Sequence, residues 1–160
     1  MARYSEAIFK AITRVLDDKG ICYEPNEETG EIYLSFENDD PEFYILIARI
    51  WVRSTSYMIQ AGSRSDFDQS DRDLMRRLTD FLCRVNEKLF FGSFLISYEQ
   101  SEVYYYYFLD CSGLKEPTPE AVSNSVASIC RLWRDVSPGL RGVLREGLSA
   151  KEGFKLCKLS

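Results

Sequence analysis

Apolar residues recur along this chain with two periods, and the switches between them divide it into elements. From Ser5 to Lys19 the period is helical: Ile8, Ala11, Ile12, Val15 and Leu16 share one stripe, and Gly20 supplies a stop. A short strand is predicted over Ile21 to Glu24, ending in a turn at Pro25-Asn26. Glu31 to Glu37 alternates strictly, with Ile32, Leu34 and Phe36 facing one way and Tyr33 and Ser35 the other. Asn38-Asp39-Asp40-Pro41 reads as a turn. Glu42 to Val52 is the most apolar run, and its length and β-branched content predict a central strand. With Ser54-Thr55 as the loop, the chain returns through Tyr57 to Gly62, pairing Val52 with Tyr57 and Ile50 with Ile59.

After a polar loop from Ser63 to Gln69 the helical period resumes. Ser70 is the expected N-cap, with Asp71 and Asp73 in the first turn, where the helix dipole favours acids. Leu74, Leu78, Phe81, Leu82, Val85 and Leu89 form the stripe. A long hairpin follows in Phe90 to Asp110, FFGSFLISYEQSEVYYYYFLD. A loop at Gln100-Ser101 would pair Tyr98 with Val103, Ile96 with Tyr105 and Phe94 with Tyr107 on a core face. The other face holds Ser93, Leu95 and Ser97 against Phe108, Tyr106 and Tyr104. Thr118-Pro119 opens a third helix with the stripe Val122, Val126, Ile129, Leu132, Trp133 and Val136. Ser137-Pro138 is expected to break or kink it, with Leu140, Val143, Leu144 and Leu148 on a further segment. The residues after Ser149 have room for one more short turn of helix.

The order is helix, three to four strands, helix, two strands, helix. Helices segregated around an antiparallel sheet make an α+β fold. At 160 residues, with 45% hydrophobic and 14% aromatic residues, the chain has the size and composition of one folded domain over 1–160.

Charge and chemistry narrow the function. A net charge of −5 is the wrong sign for a nucleic-acid binder or for docking on anionic lipid. Five cysteines, odd in number and without a CxxC pair, predict reduced thiols in a cytoplasmic protein. Residues 1–19 are punctuated by Arg3, Glu6, Lys10, Arg14, Asp17 and Asp18, unlike a secretory leader, and no stretch approaches the length of a membrane span. Histidine is absent, which removes the commonest general base and metal ligand and every Ser-His or Cys-His pair. Phosphate-loop, dinucleotide, nucleophile-elbow and zinc-protease motifs are missing too.

The acidic stretch Ser65 to Asp73 gathers four carboxylates, as hard cations require. Counted from Asp66 as an EF-hand loop, its sixth and twelfth positions hold Asp71 and Arg77 where Gly and Glu belong. It therefore reads as a solvated loop and helix start. Glu27-Glu28 and Asp39-Asp40 sit in turns and read as solvated charge. The expectation is no catalytic residue, no metal and no cofactor.

What remains is the aromatic surface. In a strand Tyr104-Tyr105-Tyr106-Tyr107 splits into two stripes, with Tyr105 and Tyr107 inward. Tyr104 and Tyr106 join Leu95 and Trp51 on a sheet face that is either half-exposed or covered by a helix of this chain. Tyr and Trp are enriched where proteins bind one another. Trp51, Leu95, Tyr104 and Tyr106 are accordingly the candidate partner-binding residues.

The stretch Asn86 to Asp110 resembles the core of the bacterial YbjN family, with Gly92, Phe94, Val103, Tyr105, Tyr107 and Asp110 at matching places. Pro138-Gly139-Leu140 and Glu146-Gly147-Leu148 match the region that follows. The resemblance implies the fold of type III secretion chaperones: a curved antiparallel sheet with three main helices, often dimeric. It also implies a non-enzymatic protein-interaction module tied to the regulation of sensory transduction. The alternative it leaves is an export chaperone holding one effector protein. Under either, the second helix and the adjoining hairpin are the expected homodimer contact.

Overall fold

The computed structural model describes residues 3–159; residues 1, 2 and 160 of the span read as one domain lie outside them. The first stripe forms α1, Glu6–Asp18, in which Ser5 caps the start by accepting from the Ile8 N–H and Gly20 turns away at φ +66°. The chain then lays down four consecutive antiparallel strands: β1 (Tyr23–Asn26), β2 (Glu31–Glu37), β3 (Ile45–Val52) and β4 (Ser56–Ser63). Helix α2 (Arg72–Lys88) follows, then the hairpin of β5 (Ser93–Ser97) and β6 (Glu102–Asp110), then α3 (Pro119–Arg145) and α4 (Ala150–Leu156). The sheet order is β1-β2-β3-β4-β6-β5, so β6 docks beside β4 and β5 becomes an edge. This is the α+β arrangement predicted, with a short fourth helix added at the end.

The β3–β4 register is the predicted one, Val52 opposite Tyr57 and Ile50 opposite Ile59. Several local expectations are corrected. Strand β1 runs through Pro25 and Asn26 instead of ending before them; an edge strand tolerates proline because one side of it has no ladder to feed. Strand β3 begins at Ile45, not Glu42, because Asn38 donates its side-chain amide to the Phe43 carbonyl and holds 38–43 as a turn. The cap of α2 is Asp71, not Ser70: its carboxylate accepts from the Leu74 N–H. The β5–β6 register is shifted by two residues, so that Phe94 faces Tyr105 and Ile96 faces Val103. The connection is longer than the two residues expected, with Ser101 in the left-handed region at φ 52°. An even shift leaves the paired residues on their predicted faces, but Tyr98, expected in the core opposite Val103, falls beyond the end of β5 and is 64% exposed.

Helix α3 continues through Pro138 without a break. Proline deprives a carbonyl one turn earlier of its donor, and neighbouring carbonyls of that turn gain donors from elsewhere. The Ser137 hydroxyl donates to the Trp133 carbonyl, and the Lys158 N–H donates to the Asp135 carbonyl at 2.9 Å.

All the core-facing strand residues lie on one side of the sheet, under α1, α2 and α3. At its centre Trp133 is fully buried, packs against Phe43 and Phe94 with ring centroids 5.8 and 5.4 Å away, and donates its indole N–H to the Ala61 carbonyl at 3.1 Å. Tyr57 and Tyr105 reach up from the same face to Ser125 and Ser128 of α3. Burial raises the pKa of both phenols, most strongly that of Tyr57.

Candidate functional site

Among the described residues no helix lies on the opposite side of the sheet. Cross-strand pairing aligns its outward residues in rows. One row runs Glu31, Trp51, Met58, Phe108; the next Tyr33, Arg49, Gln60, Tyr106, Ser93; the next Ser35, Ile47, Gly62, Tyr104, Leu95. Leu95, Tyr104, Tyr106 and Trp51 thus share this open face, in neighbouring rows. Leu95 is exposed, and the other three are half-buried against their neighbours.

The face holds more apolar surface than those four residues. Ile47 is 65% exposed, Phe108 51% and Ile45 47%, which is unusual for aliphatic and aromatic side chains on a regular strand. Sequence reasoning placed Phe108 on this face but missed Ile45 and Ile47, because β3 is apolar on both faces: Leu46, Ala48, Ile50 and Val52 are buried while Ile45 and Ile47 are not. The usable signal was parity, since Ile45 and Ile47 lie at even spacing from Trp51.

Most polar groups on this face are mutually engaged, although the buried Nε of Arg49 has no hydrogen-bond partner. Arg49 lies over the Trp51 ring at 4.3 Å and the Tyr33 ring at 5.5 Å, and pairs with Glu31. Tyr33 donates its hydroxyl to the other oxygen of Glu31 at 2.7 Å. That hydrogen bond, with the guanidinium, holds the Glu31 carboxyl below its usual range, and the same bond raises the Tyr33 phenol. Tyr106 donates to the Met58 sulfur at 3.1 Å. The result is an ordered, largely apolar surface and not a set of reacting groups.

The edge beside it is closed. Phe94 of β5 turns its N–H and C=O away from β6, and both are taken by the side chain of Asn86 on α2: the N–H donates to Oδ1 at 2.8 Å and Nδ2 donates to the carbonyl at 2.9 Å. Further along, Gln69 donates its side-chain amide to the Tyr98 carbonyl and to the Ser101 hydroxyl. By the alternation of an antiparallel ladder only Ile96 between them remains outward. A sheet edge so plugged offers no run of free groups to an incoming strand. Asn86→Ala should lower stability by about 1–2 kcal/mol through the two lost hydrogen bonds and give concentration-dependent association in light scattering. A variant that stays monomeric at high concentration would show that the plug is not what closes the edge.

The acidic stretch Ser65 to Asp73 serves local structure. Asp68 accepts from the Ser70 backbone and hydroxyl at 2.9 and 2.7 Å, Asp71 caps α2, and Asp73 pairs with Arg76 and Arg77. Among the described residues no three ligating side chains are placed to share a metal ion, and no helix is long and apolar enough to cross a membrane. Two surface depressions lie elsewhere. One of about 640 Å³ beside α2 includes Cys83 and Tyr98; the other, of about 320 Å³, lies between α1 and β1 and includes Tyr4 and Glu27. Neither lining pairs a nucleophile with a general base.

No protein-family model matches the chain, and no curated protein matches it in sequence. Among solved structures it is similar to YbjN from E. coli, a candidate transcription regulator, with a TM-score of 0.56 at 11% identity over 87% of this chain and 89% of that one. It is also similar to a chain in the crystal structure of the ExsC–ExsE complex, with a TM-score of 0.53 at 12% identity over 81% of this chain and 92% of that one. At such identities the likeness is one of fold: the helices and six-stranded antiparallel sheet of this chain are arranged as in YbjN, the α+β fold that the resemblance implied.

Proposed function

We propose that this chain is a non-enzymatic protein-interaction module, regulatory in role, that takes its partner on the open face of the sheet. The observation that carries this reading is the run of exposed Ile45, Ile47, Leu95 and Phe108 beside Trp51, Tyr104 and Tyr106 on a face that no helix of the chain covers. Contiguous apolar surface of this kind is kept in water only where something binds it, and the aromatic content is that of binding hot spots. Likeness in fold to YbjN and to a protein found in a two-protein complex supports the same reading. The alternative of an export chaperone that extends its sheet with a client strand gains less support, because the β5 edge is plugged by Asn86 and Gln69 and the β1 edge is a four-residue strand holding Pro25.

The test uses Ile47→Asp and Leu95→Asp in the tagged chain expressed in its native host. Both positions are solvent-facing, so stability in urea should change by less than about 1 kcal/mol, the range of strand propensity. The same co-purifying protein should be recovered with the unmodified chain and lost with both variants. Retention of that protein by both variants would refute the open face as the binding surface.

A further inference from the structure

We infer that the partner on this face is a basic amphipathic helix: an apolar stripe flanked by lysine or arginine, laid across β3, β4 and β6. The inference rests on the reading of the open face as a binding surface and specifies what fits there. Three observations carry it. The first is mode. The β5 edge is closed by side-chain hydrogen bonds at Phe94 and Tyr98, and the other edge, β1, is only four residues long and holds Pro25, so the occupant lies on the sheet and does not extend it.

The second is shape. Most of the apolar side chains stand on β3, β4 and β6, with Leu95 beside them on β5; the axes of β3 and β6 lie about 10 Å apart. That is the width of one α-helix with its side chains, about 10–12 Å. In the row Ile47, Gly62, Tyr104 the middle residue has no side chain, so bare backbone lies between two bulky ones. An apolar side chain from a helix above would seat there.

The third is charge. The outward strand positions around the apolar strip carry Glu24 and Glu37 on one side and Glu102 and Asp110 at the two ends of β6. The one outward-facing cation of these strands, Arg49, is already paired with Glu31; of the two arginines that follow directly on β3 and β4, Arg53 and Arg64, the second is paired with Asp66. An apolar centre inside a carboxylate rim is complementary to an apolar stripe between cations. It repels a second copy of this acidic chain, whose rim would meet its like.

The probe is a pair of synthetic 18-residue helical peptides with the same leucine stripe, flanked in one by lysine and in the twin by glutamate. Binding is read by calorimetry and its location by backbone amide chemical shifts. The lysine peptide should shift β3, β4 and β6 and bind at least about tenfold more tightly than its twin at low salt, with the difference collapsing at about 1 M salt, where charges beyond ~3 Å are screened. Phe108→Ala, which removes an exposed apolar side chain from the strip, should weaken the lysine peptide at least about tenfold, as expected for an aromatic binding contact. Equal binding of the twin, or shifts on the helical side, would overturn the inference. So would failure of both peptides to bind. In each of those cases the loss of the natural partner in Ile47→Asp still decides the reading of the face by itself.

Discussion

Gly92→Ala should cost this protein about 3 kcal/mol, although it adds a single methyl group. Residue 92 sits at φ +71°, where an L side chain costs roughly 1–2 kcal/mol. A Cβ there would also lie 2.6 Å from two carbons of the Tyr105 ring and closer still to its hydroxyl. Tyr105 cannot yield, because it is fully buried, stacks on Phe94 and donates to the Phe91 carbonyl at 3.3 Å. Overpacking of this kind adds about 1–3 kcal/mol. Gly20→Ala is the built-in control: its φ is +66° but nothing lies within 4 Å of its Cβ, so only the backbone term applies, roughly 1–2 kcal/mol. Urea unfolding of the two variants separates the contributions. Equal losses would mean that the ring of Tyr105 moves aside freely and that the hairpin entry is not held by this contact.

Gly139→Ala should destabilise against the expectation from helix propensity. In the interior of α3 the change favours the helix by about 1 kcal/mol. At this position the Cβ would press on the Gly153 carbonyl of α4 and lie 2.6 Å from the Cys157 sulfur and 2.9 Å from the Phe81 ring. Gly153 meets Val143 of α3 in the same way, so the two helices cross backbone to backbone. Helix α4 has seven residues, too few to persist without packing. The substitution should therefore undock α4, with a net loss of about 2 kcal/mol after the propensity gain. Cys157 reports the event. Burial pushes its pKa up to about 12, so its thiol is protonated and unreactive at neutral pH. Cys22 and Cys83 are exposed and react in either protein. A third fast-reacting thiol in Gly139→Ala is the expected result; wild-type stability with Cys157 still protected would show that α4 shifts to accommodate the methyl.

Much of the architecture was legible because its determinants are local. The α1 stripe, the alternation of β2 and the Thr118-Pro119 start of α3 each follow from neighbouring residues, and the structure places them where the pattern did. The failures lie where distant residues decide. A Gln100-Ser101 loop is a sound local choice, yet Gln69 grips Tyr98 and Ser101 from another segment and selects a longer connection. Pro138 breaks helices in isolation, but here donors from the C-terminal segment and from Ser137 serve carbonyls of the turn before it. For the candidate site, parity alone put Trp51, Leu95, Tyr104 and Tyr106 on one face. Whether a helix covers that face is a tertiary fact, and β3, apolar on both sides, could not announce which side was bare.

The two tryptophans stand on opposite sides of the same sheet, Trp133 sealed under α3 and Trp51 beneath the guanidinium of Arg49 on the open side. They are therefore separate optical channels. Trp133 emission, shielded from acrylamide, follows the integrity of the fold. Trp51, quenched and shifted by whatever settles over it, follows occupancy. A Trp51→Phe variant leaves a pure unfolding signal, and its difference from the unmodified chain isolates the binding signal, so ligand screening and stability measurement can be run on the same unlabelled sample.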